Sequence, residues 1–160
     1  MNDAYAAWSL SRDRFVASIS DLNAEQLNYR LFPATLTIAE MAVHVAGVEI
    51  YFGNGMLKDQ LSPEFAMLLR AAMDGVANDR PFPFTAQELT PEFVAETLAA
   101  ARSYVEPLIQ NPTAEARAAE IVSVLGPLIS GSGALARFAF HAAYHHGQVY
   151  LIRACPSFPA

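Results

Sequence analysis

Leu135, Phe138, Ala142, His145, Val149 and Ile152 follow one another at alternating intervals of three and four. That is the repeat of a single buried face on an α-helix. The same alternation runs through Ile38, Met41, Val45, Val48 and Phe52, and through Val94, Leu98, Ala101, Val105 and Leu108. Trp8, Phe15, Ile19 and Leu22 mark another helix over residues 2–21. No segment has the convincing period-two alternation of a strand, and no internal repeat is visible. Apolar stripes of this kind are buried by covering one another. The spacing therefore predicts an all-α four-helix bundle, with residues 1–160 forming one domain.

Boundary signals place the elements more closely. Asn23 with Gln26, and Thr37 with Glu40, are capping-box pairs, so a short turn opens at residue 23 and the second long helix near Ile38. Gly53-Asn54-Gly55 is expected to end that helix. Ser62 and Pro63 open a shorter helix in the segment 62–79, followed by a proline-rich loop carrying Phe82 and Phe84. The two rings are expected to roof a pocket or the bundle end. The third long helix starts at Thr90-Pro91, and Pro107 and Asn111-Pro112 should close it. Residues 112–131 read as a short helix followed by extended chain. Ser132 is expected to cap the fourth long helix, from about Ala134 to Cys155, with Pro156 stopping it.

Charge and composition narrow the function. Hydrophobic residues make up 53% of the chain and charged residues 16%, which implies much burial, some of it against a second copy. A net charge of −6 argues against a nucleic-acid partner and against an anionic membrane surface. The longest apolar run, MAVHVAGVEIYFG, is too short to span a membrane and contains His44 and Glu49. The first fifteen residues lack the apolar core of a signal peptide, and a single cysteine, Cys155, fits the reducing cytoplasm.

Histidine is used sparingly and unevenly: three of four fall within residues 141–146. His145 interrupts an apolar stripe, and His141 lies one turn before it on the same face. His44 flanks the stripe of the second long helix. Three imidazoles can thus meet inside the bundle. A buried polar group without a partner costs about 1–3 kcal/mol, and a divalent metal would relieve all three. Core histidines satisfied by ordinary hydrogen bonds are the alternative for each position taken singly. Ala142 after His141 excludes an HExxH protease, and the absence of any ExxH excludes the carboxylate-rich di-iron bundle. Bound metal should then be lost as pH falls below about 6.5, the ordinary imidazole value.

The segments TIAEMAVHVAGVEIYF and HAAYHHGQVYLIR, with histidines four apart and then Gly-Gln, resemble the DinB/YfiT-like superfamily. The resemblance implies an up-down-down-up four-helix bundle, commonly a homodimer, with His44, His141 and His145 holding one divalent ion such as zinc or nickel. Its characterised members include thiol-dependent transferases that use bacillithiol or mycothiol, and a maleylpyruvate isomerase. Two features depart from that pattern. His146 stands where the family often has arginine, and the tryptophan often found before the second helix is missing from FPATLTIAE.

The expected activity is a metal-dependent transfer of a low-molecular-weight thiol to a small-molecule electrophile. The alternatives are a hydrolase or isomerase using the same metal, and a non-catalytic, stress-related metal-binding dimer. Glu49, Gln148 and Glu40 are the candidate helpers: Glu40 one turn before His44, Glu49 five residues after it, and Gln148 beside His145.

Overall fold

The computed structural model describes residues 2–77, 80–123 and 126–160, with residues 76 and 77 described by their backbone alone. The chain is mostly helical. Helices α1 (Asp3–Ala17), α2 (Ala24–Leu27), α3 (Ile38–Leu57), α4 (Pro63–Ala77), α5 (Pro91–Gln110) and α6 (Ala114–Ala118) follow in order. A hairpin of β1 (Glu120–Val122) and β2 (Leu128–Ser130) then leads into the longest helix, α7 (Gly131–Arg153). Positions 78, 79, 124 and 125, parts of the expected shorter helix and of the 112–131 detour, lie outside the described residues.

Local chemistry explains most starts. Asn23 and Gln26 make a complete capping box at α2, as Thr37 and Glu40 do at α3. The Thr90 hydroxyl accepts from the Phe93 N–H, and Pro91 occupies the first turn of α5, where no amide donor is missed. Every apolar residue assigned to the four long stripes is buried. Helix α3 is the pillar: each residue from Ile38 to Ile50 is buried, because α4, α5 and α7 cover it on different sides while α1 packs on α7 and α5. Among the described residues no helix is long and apolar enough to cross a membrane.

Several boundaries differ from the sequence expectation. The GNG segment does not end α3, which continues to Leu57 and stops at Lys58 in the left-handed conformation. Gly53 and Gly55 permit close packing instead. A Cβ on Gly53 would lie 2.8 Å from Val105, and one on Gly55 would lie 3.0 Å from Ile121. Pro107 sits inside α5, which runs on to Gln110. Ser130, not Ser132, caps α7, and that helix ends at Arg153 rather than Cys155. The extended chain expected after the short helix is a small antiparallel hairpin, with Ile121 of β1 opposite Ile129 of β2. Three-residue strands are too short to declare a period-two pattern.

Phe82 and Phe84 are half-buried and do not roof the cavity described below. They pack against the core cluster containing Phe15 and Ile38, with Phe84 5.3 Å from the Phe93 ring.

A buried ionic contact ties three helices together. Glu49 on α3 accepts hydrogen bonds through one oxygen from Trp8 Nε1 at 2.8 Å and Arg12 Nε at 2.9 Å, both on α1. Arg12 also donates to the Leu98 carbonyl on α5. Burial raises the Glu49 carboxyl pKa, while the Arg12 charge opposes that shift. Removing one member of such a pair strands the other charge. Arg12→Met is expected to lower unfolding free energy in urea titrations by about 3–5 kcal/mol. An Arg12→Met/Glu49→Leu double variant should recover much of it. Equal loss in both would show that packing, not charge, is what Arg12 supplies.

Candidate metal centre

Helix α3 contributes His44, and α7 contributes His141 and His145 one turn apart. His141 Nε2 lies 3.1 Å from His44 Nε2 and 3.1 Å from His145 Nε2. One ring nitrogen from each histidine falls within a 4.8 Å cluster. Gly75 on α4 makes room for this: a Cβ there would come within 2.5 Å of His44 Nδ1.

Proton positions follow from the outer partners. His44 Nδ1 is 3.0 Å from the Ala71 carbonyl, which only accepts, so Nδ1 carries the proton and Nε2 presents a lone pair. His145 Nδ1 is 2.7 Å from Gln148 Oε1, an acceptor as well, so its Nε2 also presents a lone pair. His141 sits between the two with a single Nε2. A proton there satisfies only one neighbour, and no protonation of three neutral rings satisfies both contacts. A cation accepting from all three nitrogens does. Outer hydrogen bonds to a carbonyl and an amide oxygen are also how metal-bound imidazoles are oriented.

The rings are neutral at physiological pH. Burial pushes the His141 pKa down to about 2, helped by the neighbouring His145 and His44, and pushes His145 down to about 3. Burial lowers His44 too, against the opposing hydrogen bond to Ala71. The lone pairs are therefore available without first losing a proton.

The histidines form part of the wall of an open cavity of about 690 Å³. Met41, Val48, Phe52 and Ile152 supply its apolar interior; Phe32, Phe140, Tyr144 and Leu151 stand near its mouth, all four exposed. The Tyr144 ring lies 5.1 Å from His145, centre to centre. Three nitrogen donors at the edge of an open space would leave a bound ion accessible to water or substrate, as catalytic rather than structural zinc sites are.

A family model described as the DinB superfamily matches residues 7–149. The chain belongs to that superfamily. No curated protein and no solved structure matches it.

For this DinB-superfamily chain, the three histidines expected from the sequence are brought together, but the expected helpers are not all with them. Glu49 lies five residues after His44, which on a helix is about 140° around the axis, and its carboxylate faces Trp8 and Arg12 instead. Glu40 shares the His44 side of α3 but is consumed by the Thr37 amide at 2.7 Å and Arg30 at 2.6 Å. Only Gln148 reaches the cluster, through His145. His146 is outside both the cluster and the cavity wall. The segment that lacks the family's tryptophan does form wall, through Phe32, Ala34, Thr35 and Leu36. Sequence reasoning missed Arg137, which lines the cavity one turn before His141; extending the His141–His145 stripe backward by four residues would have found it.

His145→Ala is expected to lose bound divalent metal by elemental analysis of untagged protein while keeping its helical circular dichroism. His146→Ala should retain the metal. Retention in the first variant, or loss in the second alone, would contradict the geometry. The burial also revises the acid limit. Proton competition begins only as pH falls toward the lowered native values, so metal content should hold from pH 7 to about 5 in folded protein. A loss centred near 6.5 would mean that the imidazoles titrate as exposed groups do.

Proposed function

We propose that this protein is a metal-dependent enzyme in which His44, His141 and His145 hold one zinc or nickel ion, and that it transfers a low-molecular-weight thiol to small electrophiles. The reading rests chiefly on one observation: three imidazole Nε2 atoms converge on the wall of an open, mainly apolar cavity. A divalent ion there supplies the acidity that keeps a thiol as thiolate at neutral pH. The chain's own groups do the rest. Ala71 and Gln148 fix the rings of His44 and His145, and Met41, Val48, Phe52 and Ile152 keep water from the apolar part of the cavity.

Among the described residues no carboxylate lines the cavity, which favours thiol transfer over hydrolysis or isomerisation. Water attack calls for a general base, and the two carboxylates of α3 expected from the sequence, Glu40 and Glu49, are engaged elsewhere. A thiolate needs none. An open cavity also speaks against a purely non-catalytic metal site. The framework of the reading is one domain over residues 1–160, with α1, α3, α5 and α7 as an up-down-down-up bundle, working in the reducing cytoplasm.

Metal-loaded, untagged protein should conjugate thiols such as bacillithiol or mycothiol to an aryl halide, and His145→Ala should abolish the reaction. Thiol-independent hydrolysis of activated esters at the same centre would overturn transferase in favour of hydrolase. No metal-dependent turnover of either kind would leave the non-catalytic reading.

A homodimer is part of the proposal. Phe140, Tyr144, Tyr150 and Leu151 on α7 are 68, 52, 69 and 66% exposed, a concentration of apolar surface suited to a second copy. Light scattering at micromolar concentration should give twice the monomer mass. Tyr150→Glu, which lies outside the cavity wall, should shift it to the monomer; a monomeric parent protein would refute this part.

A further inference from the structure

Among the described residues, Arg137 is the only charged side chain in the cavity wall. Its Nη1 donates to Ser123 Oγ at 3.2 Å, and among the described residues it has no carboxylate partner. Of the four arginines that are not exposed, Arg12, Arg102 and Arg153 each pair with an acidic side chain, and among the described residues Arg137 is the exception, although a net charge of −6 leaves acidic groups in excess. A half-buried guanidinium offers five N–H donors, and one contact to a hydroxyl leaves most of them unused.

Arg137, His141 and His145 are spaced four residues apart on α7 and line the same cavity. Along the helix axis Arg137 stands about 6 Å from His141 and about 12 Å from His145. Mainly apolar wall surrounds this line. The cavity thus has a nitrogen cluster, an apolar interior and a separate cation.

We propose that Arg137 is an anion subsite that binds the carboxylate end of an otherwise apolar small ligand whose other end lies at the histidine cluster. This deepens the thiol-transferase reading and rests on it for the occupant of the cluster end. A carboxylate fits better than a phosphate. One planar guanidinium matches both carboxylate oxygens in a paired geometry, whereas a phosphate's further oxygens would face apolar wall. Ser123 braces the guanidinium from the hairpin side, leaving its other donors for the ligand. Among the described residues the cavity's one charged side chain is positive, which favours an anion over a neutral molecule at that end.

The test uses full-length protein loaded with cobalt(II), whose visible spectrum reports thiolate ligation, and three probes: 6-mercaptohexanoate, 6-mercaptohexanamide and 6-mercaptohexanol. Dissociation constants come from the spectral titration, and calorimetry of hexanoate against hexanamide runs in parallel on the same samples. The acid is expected to bind about tenfold or more tightly than the amide or alcohol. Arg137→Met should erase that preference while leaving cobalt content and the spectrum with the alcohol unchanged, and Arg137→Lys should keep part of it. Equal binding of acid and amide by the parent protein would overturn the proposal. So would a preference that survives in Arg137→Met, since the anion would then be on the metal or another group. If no thiol perturbs the cobalt spectrum, the thiol reading fails. The calorimetric difference then decides Arg137 by itself: its loss in Arg137→Met upholds the anion subsite, and its absence in the parent protein refutes it.

Discussion

Burial of three neutral imidazoles at one point is the constraint around which this fold is arranged. His141 and His145 meet at 3.1 Å within α7, and His44 joins them, 3.1 Å from His141, because α3 and α7 pack closely there. Helix α4 must then pack on α3 with no side chain at Gly75, so that the Ala71 carbonyl reaches His44 Nδ1. Each imidazole is lowered in pKa mainly by burial, which keeps it uncharged and its lone pair free. Burial that would be costly for an unpartnered polar group becomes useful if the partner is a cation.

The same helix carries a second polar commitment that is kept apart from the first. Glu49 binds Trp8 and Arg12 on the side of α3 away from the cavity, tying α1 and, through Arg12, α5 to the central helix. Among the described residues its other oxygen is buried with no hydrogen-bond partner, so the group is tightly held but incompletely satisfied. Among the described residues this division leaves no carboxylate at the histidine cluster and makes Arg137 the lone charge on the cavity wall, opposite in sign to the net charge of the protein.

Much of this was readable in advance because the signals were periodic. Stripes at three-four spacing gave the long helices, and the interruption of one stripe by His145 gave the site. Capping pairs at Asn23 and Thr37 gave two helix starts to the residue. The misreadings came from residues whose role depends on distant neighbours. Gly53 and Gly55 look like terminators but serve contacts with Val105 and Ile121, which lie more than fifty residues away in sequence. The hairpin strands are stabilised by pairing and by the Tyr51 hydroxyl donating to the Val122 carbonyl, neither of which leaves a local pattern. Glu49 is close to His44 in sequence but not at the cluster, because five residues along a helix leave a side chain about 140° away around the axis.

The central claim, that the three histidines together hold one ion, is tested most directly by X-ray absorption at the metal edge on stoichiometrically loaded, untagged protein. The account requires three imidazole nitrogens at about 2.0–2.1 Å, with the outer-shell scattering of intact rings and the remaining ligands light atoms. One imidazole or none, or a sulfur ligand in protein free of added thiol, would contradict it.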